Sequence, residues 1–195
     1  MVENDTQVCN IALRRINAEP ISDLVDDDGK SAVLCRTLYE PSRDACLRAH
    51  PWAFSIKRQV LAVSTDDNLS PFIFLYTLPS DPYCLKPIVL LDTLDLYIEV
   101  PEYPFQVEGR GLLTDLPSAG LKYISRVTDA SLFDDSFVNA LAWRLAAELI
   151  KPVEGNSPVD PWVMYWDAMV SAIADNDQGS QSPYVPPISW ADGRF

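Results

Sequence analysis

Four cysteines, one histidine and a run of aspartates are the residues of this 195-residue chain whose chemistry could be put to work. His50 is the only imidazole. A Ser-His-Asp or Cys-His catalytic site, or a zinc site of mixed ligands, would have to be built on it. Its neighbours argue for a structural role instead, because Pro51 and Trp52 hold it at a helix-to-strand corner. Cys9, Cys35, Cys46 and Cys84 lie far apart with no Cys-x-x-Cys pair, so they read as reduced, buried thiols. Asp23, Asp26, Asp27 and Asp28 look superficially like a calcium loop, yet the EF-hand spacing and closing glutamate are missing. A solvated acidic loop is the better reading. There is no G-x-S-x-G, phosphate-binding loop or dinucleotide fingerprint, and no carboxylate pair of the glycosidase kind stands out from the acidic surface. The residues therefore call for no catalytic group, no metal and no cofactor.

The elements that would position these residues follow from periodicity. Asp5 or Thr6 is expected to cap a first helix with Val8, Ile11, Ala12 and Ile16 on one face, ending near Asn17. A second helix should start near Lys30 or Ser31, carry Leu34, Leu38, Ala45 and Ala49 as its apolar stripe, and kink between Thr37 and Pro41. From Trp52 to Val127 the period falls to near two, between proline and glycine breaks. Strands are expected at Phe54–Val63, Phe72–Tyr76, Cys84–Leu91, Leu96–Val100, Gln106–Glu108, Gly111–Thr114 and Lys122–Arg126. Gly109-Arg110 should make a tight hairpin. A third helix runs from Asp134 or Asp135 to about Ile150. Beyond its first turn its polar positions are Asn139, Arg144, Glu148 and Lys151, so burial on most sides is expected, with help from neighbouring subunits. A fourth helix begins near Pro158 or Pro161, where Trp162, Trp166, Met169 and Ile173 have the spacing of a core stripe, partner contact being the alternative. From Asp177 the Gly/Ser/Gln-rich and then Pro-rich chain should be an extended arm, whose Tyr184, Trp190 and Phe195 are candidate partner contacts together with Trp162 and Trp166.

The corner itself carries a likeness. Leu47-Arg-Ala-His50-Pro51-Trp52-Ala-Phe54 resembles the "LRxHPWxFA" signature of tail tubular protein A, the head-to-tail adaptor family of short-tailed phages (podoviruses). Leu75-Tyr-Thr-Leu-Pro79-Ser-Asp81 resembles that family's "YxLPxD" turn, and Phe105 to Asp115 its "fxvEGrxLLTD" hairpin. Tyr123 to Asp129 and Phe137 to Ala142 follow in the family's order, so the resemblance spans roughly Asp5 to Ile173. Asp81-Pro-Tyr-Cys84 departs from the usual, more direct run from Asp to Cys.

The resemblance implies an α+β fold: an antiparallel helix bundle (1–51 and 130–176) with a small antiparallel β unit (52–129) inserted. The extended C-terminal arm (177–195) has no counterpart in the family and is read from composition alone. The resemblance implies a non-enzymatic virion protein of the tail neck, made in the host cytoplasm. It also implies a homo-oligomeric ring, twelve-fold in the family, between portal protein and tail nozzle protein, through which genome DNA passes without specific binding. Composition agrees with a globular chain: 48% of residues are hydrophobic and the formal net charge is -13. No basic patch for nucleic acid is visible, and no apolar run reaches the roughly 18 residues of a membrane helix. The acidic, polar Met1 to Asp5 does not read as a signal peptide. The alternative is an acidic carbohydrate-binding or hydrolytic tail module using exposed aromatics.

Overall fold

The computed structural model describes residues 2–179, so Tyr184, Trp190 and Phe195 lie outside the described residues. The chain is mixed α+β, with four helices and two antiparallel sheets among these residues. Helix α1 spans Asp5–Arg15, and its cap is Asn4 rather than Asp5 or Thr6, the Asn4 side chain accepting from the Gln7 N–H at 3.0 Å. The two expected caps are engaged elsewhere. Asp5 accepts from the Tyr39 hydroxyl at 2.7 Å, and Thr6 Oγ1 accepts from the Leu24 N–H. Burial raises the Asp5 carboxyl above its usual range despite that bond.

Helix α2 spans Lys30–Ala49 and continues through Pro41 without splitting. Proline leaves the carbonyl one turn back, at Thr37, without its donor. Thr37 and Pro41 are both exposed, so water can take that place. The buried face is Ala32, Cys35, Tyr39, Ser42, Cys46 and Leu47, not the expected stripe, of which Ala49 is exposed and Leu34 and Leu38 only half-buried. The displaced stripe comes from two polar positions that hydrophobicity alone cannot place inside. Ser42 donates to Glu148 at 3.0 Å, and Arg43 pairs with Asp44.

After Pro51 a short 3-10 turn, Ala53–Ser55, replaces the expected start of a strand, because the Ser55 N–H and Oγ both donate back to the Trp52 carbonyl. Strands β1 (Ile56–Val60), β4 (Cys84–Leu91) and β7 (Gly120–Ser125) make one sheet in the order β1-β7-β4. Strands β2 (Ala62–Val63), β3 (Phe74–Thr77), β5 (Phe105–Glu108) and β6 (Gly111–Thr114) make a second, in the order β2-β3-β6-β5. The expected strand at Leu96–Val100 is a loop that touches β4 by a single bridge, Leu91 to Glu99. Asp92 and Asp95 each accept from a backbone N–H two residues on, which bends the chain instead of extending it.

Two cores result. Tyr76, Leu78, Cys84, Leu90, Leu112, Leu121 and Tyr123 fill the space between the sheets. The larger core joins the helices to the other face of the first sheet, through Leu85, Ile124 and the half-buried Ile56 and Ile88. Strand β7 is thus buried on both sides, Leu121 and Tyr123 facing one core and Ile124 the other.

Helix α3 spans Asp135–Leu149 and packs against α1, α2 and α4, the last spanning Pro161–Gly179. Phe137, Leu141, Ala142, Leu145 and Leu149 are all fully buried within the single chain, so α3 needs no neighbouring subunit. Asp160 caps α4, accepting from the Trp162 N–H at 2.9 Å, which selects Pro161 over Pro158 as its first residue. Asp177, the expected start of the arm, still belongs to this helix.

One glycine is required by backbone conformation. Gly109 has φ 57° in the two-residue turn between β5 and β6, where its Cβ-free backbone adopts the left-handed region without penalty. Gly109→Val is expected to lower stability by about 1–2 kcal/mol, read as a drop in the urea midpoint at constant m. An unchanged midpoint would contradict this account of the turn.

Candidate partner interface

The corner is built from both directions along the chain. Trp52 is fully buried, and its indole N–H donates to the Cys46 carbonyl at 3.0 Å, closing the last turns of α2 onto the corner. Its ring meets the Phe137 ring edge-on at 5.1 Å, and Phe54 packs on Phe137 and Phe133 at 5.1 and 5.7 Å. Ser125 Oγ donates to the Ser55 carbonyl and ties the corner to β7. His50 faces the end of α4: its Nε2 lies 3.1 Å from Asp177 Oδ1 and 3.0 Å from Asn176 Nδ2, while Asn176 Oδ1 accepts from the Ala53 N–H. Pro51 holds the residue before it extended, with His50 at φ -148°.

The other quoted segments connect to this corner through side chains. Arg110, in the β5–β6 turn, donates to the carbonyls of Leu78, Pro79 and Cys84 and stacks over the Tyr83 ring at 4.2 Å. Arg126 stacks over the same ring at 4.4 Å and pairs with Asp44 of α2 at 2.7 Å. A chain of contacts thus runs from α2 through Asp44, Arg126 and Tyr83 to Arg110 and the second sheet. Helical spacing alone would pair Asp44 with Arg48 and Glu40 with Arg43. Arg48 instead donates to the Leu85 carbonyl, and Arg43 turns to Asp44. Nothing local in the sequence marks Tyr83 as a ring that two distant arginines will flank, or Asp44 as the partner of one of them.

The outer face of α4 differs from expectation. Trp162 and Trp166 are 41% and 60% exposed, and the stripe that enters the core is Pro161, Tyr165, Ala168, Met169 and Ala172. The register is one residue off because Tyr165, not Trp166, reaches the core, with desolvation raising its hydroxyl pKa. Of the expected stripe, Met169 is buried and Ile173 half-buried. Trp162, Val163, Trp166 and Val170 are all exposed and share one side of the helix, at i, i+1, i+4 and i+8, with the exposed Val159 just before the cap. Arg144, paired with Glu148 at 3.2 Å, lies 5.9 Å from the Trp162 ring at the edge of this face. The chain matches no protein-family model and no curated protein.

Burial pushes the Cys46 thiol up to about 12 and the Cys84 thiol up to about 11. A bond to Cys35 and burial raise Cys9 further still. All three thiols are therefore protonated at neutral pH. Asp23 and Asp27 are held below the usual carboxylate range by backbone N–H donors, Val25 and Asp26 for the first and Gly29 and Ser22 for the second. These carboxylates scaffold their own loop. Among the described residues no three His, Cys, Asp or Glu side chains converge as a metal site requires, and no helix is long and apolar enough to cross a membrane.

Proposed function

We propose that this chain is a head-to-tail adaptor subunit of a short-tailed phage, a non-enzymatic virion protein that forms a ring between portal and tail nozzle. The observation that carries the reading is the interlocking of the five segments that resemble the adaptor family. Phe137 of the fifth packs on Trp52 and Phe54 of the first, and Arg110 of the third caps the Leu78 and Pro79 carbonyls of the second. Arg126 of the fourth ties the sheets to α2. Segments shared by chance would not be expected to form one connected frame. The reading includes the finer architecture, an antiparallel bundle of α1 to α4 with the β unit inserted between α2 and α3. A ring needs heterologous, head-to-tail interfaces, two different surfaces on each subunit that fit one another, and the exposed face of α4 supplies an apolar one.

The deciding experiment mixes the purified chain with portal rings of a short-tailed phage and images the mixture. Adaptor rings seated on the portal are the expected result. A chain that stays monomeric at high concentration and leaves portals bare defeats the reading. The exposed Trp162 and Trp166 also favour a second reading, a carbohydrate-binding tail module, since indole faces stack on sugars. Monomeric glycan binding that is lost in Trp162→Ala would select it.

A channel wall must let DNA slide. With a net charge of -13, the ring repels phosphate rather than holding it. No shift of a 30-base-pair duplex (a length of roughly three helical turns) is expected at moderate salt, and tight duplex binding there would contradict passage through the ring.

A further inference from the structure

An apolar helix face holding two tryptophans needs a cover in water, and one lies next to it in the chain. The exposed stripe Trp162, Val163, Trp166 and Val170 occupies the first half of α4, with Val159 just before it, and residues 180–195 follow the C-terminal end of that same helix in the sequence. We propose that in the free chain the segment 183–190 turns back and covers the Trp162–Trp166 face of its own α4.

Chemistry, reach and concentration each support this occupant. Ser180-Gln-Ser182 is a polar spacer, and Pro183-Tyr-Val-Pro-Pro-Ile-Ser-Trp190 then carries three prolines, two aromatics and no charge. Prolines favour an extended left-handed run with few backbone donors to satisfy, and aromatic surfaces are what such runs dock on. Trp162 is about 26 Å from Gly179 at 1.5 Å per helical residue. Residues 180–195 extend to about 50 Å, so the return is within reach with chain to spare. Running antiparallel to α4, the segment brings Arg194 toward the helix end that carries Asp160, a favourable pairing of charge. A short tether holds the segment at an effective concentration near mM. At micromolar protein, its own α4 therefore captures it ahead of any second copy. The contact belongs to the free chain and does not depend on what the chain assembles with.

The test uses the full chain at about 1 µM, far below the mM effective concentration of the tether, with a photo-crosslinking amino acid in place of Tyr184. Irradiation should give a product of monomer mass whose crosslinks map to residues 159–170. The double variant Trp162→Ala with Trp166→Ala changes only exposed positions. It should still melt cooperatively and lose at least about ten-fold of that product, which corresponds to about 1.4 kcal/mol. Crosslinked dimers would assign the face to a second copy and overturn the proposal. Crosslinks elsewhere on the chain, no crosslinks, or an undiminished yield in the double variant would overturn it equally.

Discussion

Trp52→Ala is expected to lower stability by about 3–5 kcal/mol. The ring is fully buried and stands where three parts of the fold meet: the end of α2, the 3-10 turn before β1, and the first turn of α3. Truncation opens a cavity against Phe137 and Phe54 at a place where the backbone is pinned on both sides and cannot collapse into the gap. It also leaves the buried Cys46 carbonyl without the indole donor that meets it at 3.0 Å, a further loss of about 1–3 kcal/mol that overlaps with the first. Trp52→Phe separates the two terms, since it restores most of the volume but not the bond, and should recover at least half of the loss. Urea titration reads both variants. If Trp52→Ala unfolds at the parental midpoint, the corner is not the keystone proposed here.

Much of this frame was legible in sequence because it is local. The end of α2 follows from the clash between Pro51 and a helical His50, the β5–β6 hairpin from Gly109, and strands β4 and β6 from residue alternation between turn signals. What was not legible depends on side chains from distant segments. Ser42 enters the core because Glu148 waits there, and Asp5 fails as a cap because Tyr39 holds it. The face of α4 was misread for a related reason: Tyr165 and Trp166 are adjacent and both aromatic, and only the packing of α3 decides which turns inward. Two sheets appear where sequence suggested one β unit, since strand pairing between β1 and β7 spans the whole insertion and leaves no local mark.

The outer face of α4 gives the second large effect. On the adaptor reading, Trp162→Glu combined with Trp166→Glu is expected to abolish ring formation and portal binding, weakening assembly by at least about 100-fold, or roughly 2.7 kcal/mol. Two tryptophans one helical turn apart, rimmed by Val159, Val163 and Val170, have the composition of an interface centre, where few residues carry most of the binding energy. Glutamate rather than alanine is the sharper substitution because it places a charge that must be desolvated when the face is covered. The fold should tolerate the change. Trp162 and Trp166 give up ring contacts with Tyr165 at 5.9 and 4.8 Å, a loss of about 1–2 kcal/mol together, and a carboxylate at position 162 comes within reach of Arg144. Sedimentation velocity and portal co-migration report assembly, while thermal melting reports the fold. A folded double variant that still forms rings on portals would move the interface off α4, whereas a variant that fails to assemble and still melts cooperatively would locate it there.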